Sequence, residues 1–296
     1  MRSDGWYLTE DVHEFFDRAG DFLRSRPALH TTALTTIEQV RTGGPGASTA
    51  QDPVFGRLEQ AGEVSAVFYR LTPQKLLSVT SLTAEQADGL AAQLVALGHR
   101  LPGVSAEVGT ATAFAEAWQR HTGATPTFRT RIHLYRLGTL TPPEPGAAGR
   151  GRPVGEADHE HLMQWCRESA EFFGEDVTLN ADTWANTRFG EKSYTYWETL
   201  DGTPVSMAGV NPMVGGQVRV DPVYTPAHLR GHGYAAAVTV EVTRAALAAG
   251  ATDVVLYTDP NNPTSNALYK RIGYRLLTDW GVYDFAYADT EPEGGR

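Results

Sequence analysis

Apolar residues recur every three or four positions over residues 9–24, where Val12, Phe15, Phe16, Ala19, Phe22 and Leu23 form one face of a helix and Thr9 is placed to cap it. A second helix is predicted over 30–41, stopped by Gly43-Gly44-Pro45-Gly46, and residues 43–53 read as a loop. The period then shortens to two. Residues 55–59 and 64–71 alternate on either side of Ala61-Gly62 and predict a hairpin, with a short third strand at 76–80. Thr83-Ala84-Glu85-Gln86 is a capping box, and the helix it opens carries Leu90, Leu94 and Leu97 up to Gly98. A strand at 104–108, a short helix at 114–121 and a strand at 129–137 follow.

Residues 138–153 interrupt the pattern. Pro142, Pro143, Pro145 and Pro153 stand among glycines and alanines, the composition of an interdomain linker. Beyond it the same order returns. A helix over 157–173 places Leu162, Trp165, Cys166, Ala170 and Phe173 on one face, and a shorter helix covers 182–189. A hairpin follows at 194–199 and 205–210 around Asp201-Gly202, then a strand at 217–224 and a helix at 233–249 closed by Gly250. A strand at 254–258, a helix at 265–271 and a strand region at 274–285 end the chain.

The halves can be laid over each other. Glu63-Val64-Ser65 matches Pro204-Val205-Ser206, Thr83 matches Thr225, and Ala117-Trp118-Gln119-Arg120-His121-Thr122-Gly123 lies over Leu268-Tyr269-Lys270-Arg271-Ile272-Gly273 with one extra residue. Such a repeat predicts an α/β protein of two tandem domains, each a mixed central sheet flanked by helices. The boundaries that follow are 1–138, a linker at 139–153, and 154–296. At 296 residues the chain is long enough for two cores.

Composition changes this picture little: 41% hydrophobic and 20% charged residues are those of a soluble globular chain. No apolar run is long enough to cross a membrane, and the N-terminus lacks the apolar core of a signal peptide. The single cysteine, Cys166, excludes an intrachain disulfide, fits a reducing cytoplasm and reads as packing. A net charge of −10 argues against nucleic acid as a partner and favours a cationic acceptor such as an amine. His159-Glu160-His161 lacks the i, i+4 spacing of two ligands on one helix face, so no metal is expected.

The chemistry concentrates at residues 218–235. Val218, Val220 and Val223 make a buried strand that must stop pairing near Pro226. Gly231 and Gly233 free the backbone at a helix mouth, where the first N–H groups lack partners and the dipole's positive end points outward. Arg230 adds a fixed charge. No Gly-Lys-Ser/Thr follows, as a Walker loop needs, and Gly231-His232-Gly233-Tyr234-Ala235-Ala236 lacks the third glycine of a dinucleotide fingerprint. On these residues alone an ordinary glycine turn and a pyrophosphate loop both stand. His228 and His232 read as exposed spacers, with a phosphate contact from His232 left open.

Arg230-Gly231-His232-Gly233-Tyr234-Ala235 fits Arg/Gln-x-x-Gly-x-Gly/Ala. A helix and a strand later comes Asn262-Pro263-Thr264-Ser265-Asn266-Ala267-Leu268-Tyr269-Lys270-Arg271-Ile272-Gly273-Tyr274. Together these resemble the GNAT superfamily of acyl-CoA-dependent N-acetyltransferases over roughly residues 152–288. The resemblance implies strands that splay near Tyr224 and Thr258, with pantetheine pairing to the backbone of Val223, Tyr224 and Thr225. Arg230, Gly231, His232, Gly233, Tyr234 and Ala235 would receive the pyrophosphate, and Asn262, Ser265 and Asn266 would line the other wall. Acetyl-CoA is then the cosubstrate, without a metal, and acetyl passes directly to an amine.

Tyr269 matches the family's tyrosine acid, although helical spacing also suits a core aromatic. Two carboxylates compete for the base: Asp221, which strand alternation places on Val223's face, and Glu198 on the preceding hairpin. A structural Asp221 and a water chain remain open beside them. In the first half Asp88 falls under Arg230 and Trp118 under Tyr269, as in a degenerate copy without the cofactor. The acceptor implied is a small-molecule amine, such as an antibiotic or metabolite, or a peptide or protein amine, with neither nucleic acid nor membrane as partner. Monomer and homodimer both stand. The alternatives are a non-catalytic acyl-CoA-binding or sensory module and a transferase of another acyl group.

Overall fold

A computed structural model describes residues 4–43, 51–172, 179–180 and 182–288. Along the chain, β1 (Gly5–Thr9), α1 (Val12–Ser25) and α2 (Thr31–Arg41) precede a meander of β2 (Val54–Gln60), β3 (Glu63–Arg70) and β4 (Leu77–Val79). Then come α3 (Ala84–Ala96), β5 (Gly103–Glu107), α4 (Val108–Thr122) and β6 (Thr125–Leu137). The second half runs β7 (Arg150–Pro153), α5 (His159–Phe172), β8 (Ser193–Glu198), β9 (Pro204–Val210) and β10 (Gln217–Tyr224). It ends with α6 (Tyr234–Ala248), β11 (Asp253–Thr258), α7 (Pro263–Arg271) and β12 (Tyr274–Ala286).

Local expectations fail in a few places. β1 lacks a clean alternation and was not expected. α1 is capped by Asp11, whose Oδ1 accepts the His13 and Glu14 N–H groups at 2.8 and 3.3 Å; the Thr9 hydroxyl instead donates to Glu14 at 2.7 Å. The helix expected at 182–189 shrinks to a 3-10 turn at Trp184–Asn186. Most of the loop at 43–53, and Phe173, lie outside the described residues.

The chain folds into two compact units, and neither is contiguous. The first takes the described residues of 1–25, 49–132 and 279–296. Its strands pair in the order β1, β2, β3, β4, β5, and the later part of β12 closes on β5, from Trp280 opposite Glu107 to Asp284 opposite Gly103. β4 and β5 are parallel, with α3 as their crossover. Phe68, Leu77, Leu90, Val104, Phe114 and Trp118 pack on the α3/α4 face. Phe55, on the opposite face by alternation, meets Phe15 of α1 at 5.3 Å.

The second unit takes the described residues of 26–48 and 133–278. The end of β6 pairs with β11, Thr258 lying opposite His133; β11 runs parallel to β10, and β9, β8 and β7 follow antiparallel. α6 covers one face, Val238 and Val242 packing with Val218, Val220 and Leu256. On the other face α5 sets Leu162, Trp165 and Cys166 against Tyr194, Tyr196 and Met207. α2 docks beside it, its buried Thr31 hydroxyl donating to Gln217 at 2.7 Å.

These units differ from the contiguous division at 138 and 154. Without the end of β6, β11 would offer an unpaired edge, so the last residues of that strand belong to the second unit's sheet. The stretch expected as a linker is likewise built into that unit. Gly138 and Thr141 donate to the carbonyls of Gly273 and Ile272 at 2.9 and 3.0 Å, and β7 pairs along β8.

Candidate active site

In the second unit, β10 and β11 pair from Gln217 opposite Asp253 to Val220 opposite Leu256 and then part, although β10 runs on to Tyr224 and β11 to Thr258. On the β9 side the ladder slips: Val220 faces Val210, and the next registered pair is Val223 with Ala208. Pro222 has no N–H to give, so a bulge forms where it stands. Gly209 makes room for it, since a Cβ there would lie 2.8 Å from the Asp221 carbonyl oxygen. A cleft of about 930 Å³ opens between the parted strands, the size of a small-molecule site. Residues 220–225 border it on one side, Asn262, Ser265 and Tyr269 on another, and the glycine loop with the start of α6 closes one end.

That loop has the conformation its glycines allow. Gly231 and Gly233 both sit at φ +82°, left-handed backbone that other residues rarely adopt. No side chain caps α6; the Ala237 N–H bonds the Gly233 carbonyl at 3.1 Å, and the N–H groups before it lie at the open mouth. Arg230 is exposed, and its Nε donates to the Thr225 carbonyl at 3.0 Å, tying the loop to the end of β10. Tyr234 and Ala235 border the cleft from the first turn. The His232 ring turns onto its own loop, with Nδ1–H donating to the Arg230 carbonyl at 2.9 Å and the ring stacked on Tyr234.

Across the cleft, Asn262 caps α7 by accepting the Ser265 N–H at 3.0 Å. Asn266 is buried and does not border the cleft; its Nδ2 donates to the carbonyls of Asp259 and Asn262, both at 2.8 Å, and holds the turn that carries the wall. Tyr269 borders the cleft with 8% of its surface exposed. Burial pushes its hydroxyl above the usual tyrosine range, so it keeps its proton.

The two carboxylates proposed as bases are both engaged by cations. The bulge overturns the expected alternation: Val223 packs toward α6, whereas Asp221 reaches Arg188 at 2.9 Å and the Lys192 ammonium on the opposite side. Burial alone would raise the Asp221 carboxyl, but Lys192, Arg188 and Arg219 outweigh it and hold the group well below the carboxylate range. Glu198, 4% exposed, accepts from Arg152 at 2.5 Å and is not on the cleft. Sequence reasoning missed a third carboxylate. Tyr224 borders the cleft, and its hydroxyl, on the α5 face, donates to Glu168 Oε2 at 2.7 Å. It also missed residues 142–147, expected as linker, which border the cleft and bring Ala147 within 3.7 Å of where a Gly233 Cβ would lie.

The first unit treats the equivalent places differently. At the start of α3, Thr83 Oγ1 accepts the Gln86 N–H at 3.2 Å and Gln86 Oε1 accepts the Thr83 N–H at 2.9 Å, so the mouth is filled by its own side chains. Asp88 does not sit there; it accepts from Arg120 on α4 at 2.7 Å. Trp118 is sealed in the core between Phe114 and Phe285, its Nε1–H donating to Tyr287 at 3.0 Å.

Residues 150–274 match the profile of the Acetyltransferase (GNAT) family. This part of the chain is a GNAT acetyltransferase domain, and with it an acyltransferase. No curated protein sequence matches the chain. Among solved structures, the GCN5-related N-acetyltransferase from Sphaerobacter thermophilus is 18% identical, with 94% of each chain covered and a TM-score of 0.54. A GNAT-family acetyltransferase from Colwellia psychrerythraea is 9% identical, with 95% of this chain and 99% of that one covered and a TM-score of 0.58. A tandem GNAT protein from the clavulanic acid biosynthesis pathway is 13% identical, with 97% of this chain and 100% of that one covered and a TM-score of 0.58. At such identities the likeness is one of fold, and it spans both units.

Proposed function

We propose that the second unit is an acetyl-CoA-dependent N-acetyltransferase that passes acetyl directly to a primary amine of a small molecule or a peptide. One observation carries the reading: the uncapped mouth of α6, with two left-handed glycines, lies beside the point where β10 and β11 part. A pyrophosphate suits the mouth's N–H groups and dipole. The β10 edge freed beyond Val220 suits an amide-bearing pantetheine added like a strand.

In the transfer, the amine nitrogen bonds to the thioester carbon and the carbon–sulfur bond breaks. A backbone N–H near Val223 polarises the carbonyl, and Tyr269 gives its hydrogen to the leaving sulfur. An acidic chain, net charge −10, draws a cationic acceptor rather than nucleic acid. The first unit, with its mouth capped and Trp118 in place of Tyr269, is read as a copy that has lost the cofactor. Among the described residues no helix is long and apolar enough to cross a membrane. Cys166 is buried, with its thiol pushed up to about 12 by burial; we read it as an inert packing thiol, consistent with a cytoplasmic protein.

The test is release of free CoA thiol from acetyl-CoA in the presence of primary amines. Release that depends on an amine, with the amine recovered acetylated, supports the assignment. Binding of acetyl-CoA without release in any amine favours the non-catalytic acyl-CoA module instead.

A further inference from the structure

Asp221 and Glu198 each face a cation, so the proton leaving the acceptor nitrogen needs another taker. Tyr224 is the last residue of β10 and borders the cleft. Beyond the bulge its side chain turns to the α5 face, 6.2 Å from the Trp165 ring. Its hydroxyl donates to Glu168 Oε2 at 2.7 Å, while Gln164 Nε2 holds Oε1 at 2.9 Å. Glu168 is half-buried and lies about one turn beyond Trp165 on α5. Burial, aided by this hydrogen bond, pushes the Tyr224 hydroxyl up to about 12. A phenol that holds its proton so firmly, backed by a carboxylate, suits passing a proton on in one concerted step rather than storing a charge.

We propose that Tyr224 and Glu168 form the proton exit for the acceptor amine, Tyr224 touching the nitrogen and Glu168 receiving the proton behind it. The inference rests on the acetyl-transfer reading above. One proton of the arriving ammonium moves to Tyr224 Oη while the tyrosine's own proton moves to Glu168 Oε2. The freed lone pair then bonds to the thioester carbon, and the second proton that the nitrogen must lose passes to solvent. The carbon–sulfur electron pair leaves with sulfur, which takes the hydrogen of Tyr269. Glu168 then loses its proton to solvent and Tyr269 regains one, so the enzyme returns to its starting state. The titratable groups around the relay are Glu171 and His161 on α5 and Arg230 from the glycine loop. Two carboxylates beside one aromatic wall favour an acceptor that arrives as an ammonium ion.

The experiment compares the wild-type chain with Glu168→Gln, Tyr224→Phe, the double variant and Glu168→Asp. Each is assayed with acetyl-CoA and the best acceptor among phenethylamine, putrescine, glucosamine and kanamycin across neutral and alkaline pH. Each of the first two should lower kcat/KM for the amine about 100-fold near neutral pH and leave KM for acetyl-CoA unchanged. The loss should shrink as pH rises, because the free amine no longer needs the relay. The double variant should be no worse than either single one, and Glu168→Asp, which keeps a carboxylate, should recover most of the rate. Wild-type pH profiles in the variants, or losses that multiply in the double variant, would overturn the relay. A wild-type chain that acetylates no amine overturns the transferase reading itself.

Discussion

At the scale of single residues, Asp221 carries the largest difference between what its position suggests and what its surroundings permit. It borders the cleft, yet its charge is already matched by Arg188 and by Lys192, whose side chain is only 2% exposed. Removing the carboxylate strands a buried ammonium. We therefore expect Asp221→Asn to cost about 3–5 kcal/mol in urea unfolding, mostly through Lys192. Lys192 also sets a pH dependence. Burial lowers its pKa from 10.5 in the unfolded chain to about 8 in the fold. Between those values the unfolded chain binds the extra proton, so this group's contribution to stability rises with pH across the window and is flat below it. The stability of wild type minus Lys192→Met, measured by urea melts at alkaline pH, should show that slope. Tyr269→Phe keeps the ring and deletes the hydrogen that we propose passes to sulfur; kcat should fall about 100-fold or more while KM for acetyl-CoA moves little, by steady-state kinetics.

At the scale of elements, α3 and α6 begin alike and serve opposite ends. Thr83 and Gln86 close one mouth, whereas Gly231 and Gly233 leave the other open. Thr83→Ala should lower stability by about 1 kcal/mol and leave acetyl-CoA binding untouched, as thermal melts and titration would show. Both starts were legible in the sequence because a capping box and a glycine loop are local signals. The bulge at Asp221-Pro222 was not, since the alternating pattern runs through it unbroken and only the slip against β9 exchanges the faces. Glu168 escaped for a similar reason. Its partner is 56 residues away, and on its own helix it reads as one more polar position.

At the scale of the whole molecule, the repeat and the mixed α/β character were legible from strand and helix order. The exchange of segments was not, because strand pairing over a hundred residues leaves no local mark. It has a consequence for dissection. A chain cut to 154–296 lacks α2 and β6, and so exposes the β11 edge and the buried Gln217. Such a fragment should aggregate or lack a cooperative melt by circular dichroism. A fragment that folds cooperatively would show the second unit to be independent of both segments.

We propose one acetyl-CoA site per chain, at the mouth of α6. Calorimetric titration of acetyl-CoA into wild type and Gly233→Ala tests it most directly. A Cβ there meets nothing closer than Ala147 at 3.7 Å, so the substitution acts through the left-handed backbone, at about 1–2 kcal/mol. We expect one equivalent bound by wild type and about 5- to 30-fold weaker binding in the variant, whose loop can no longer hold its shape at no cost. Two equivalents, none, or undiminished binding in the variant would contradict it.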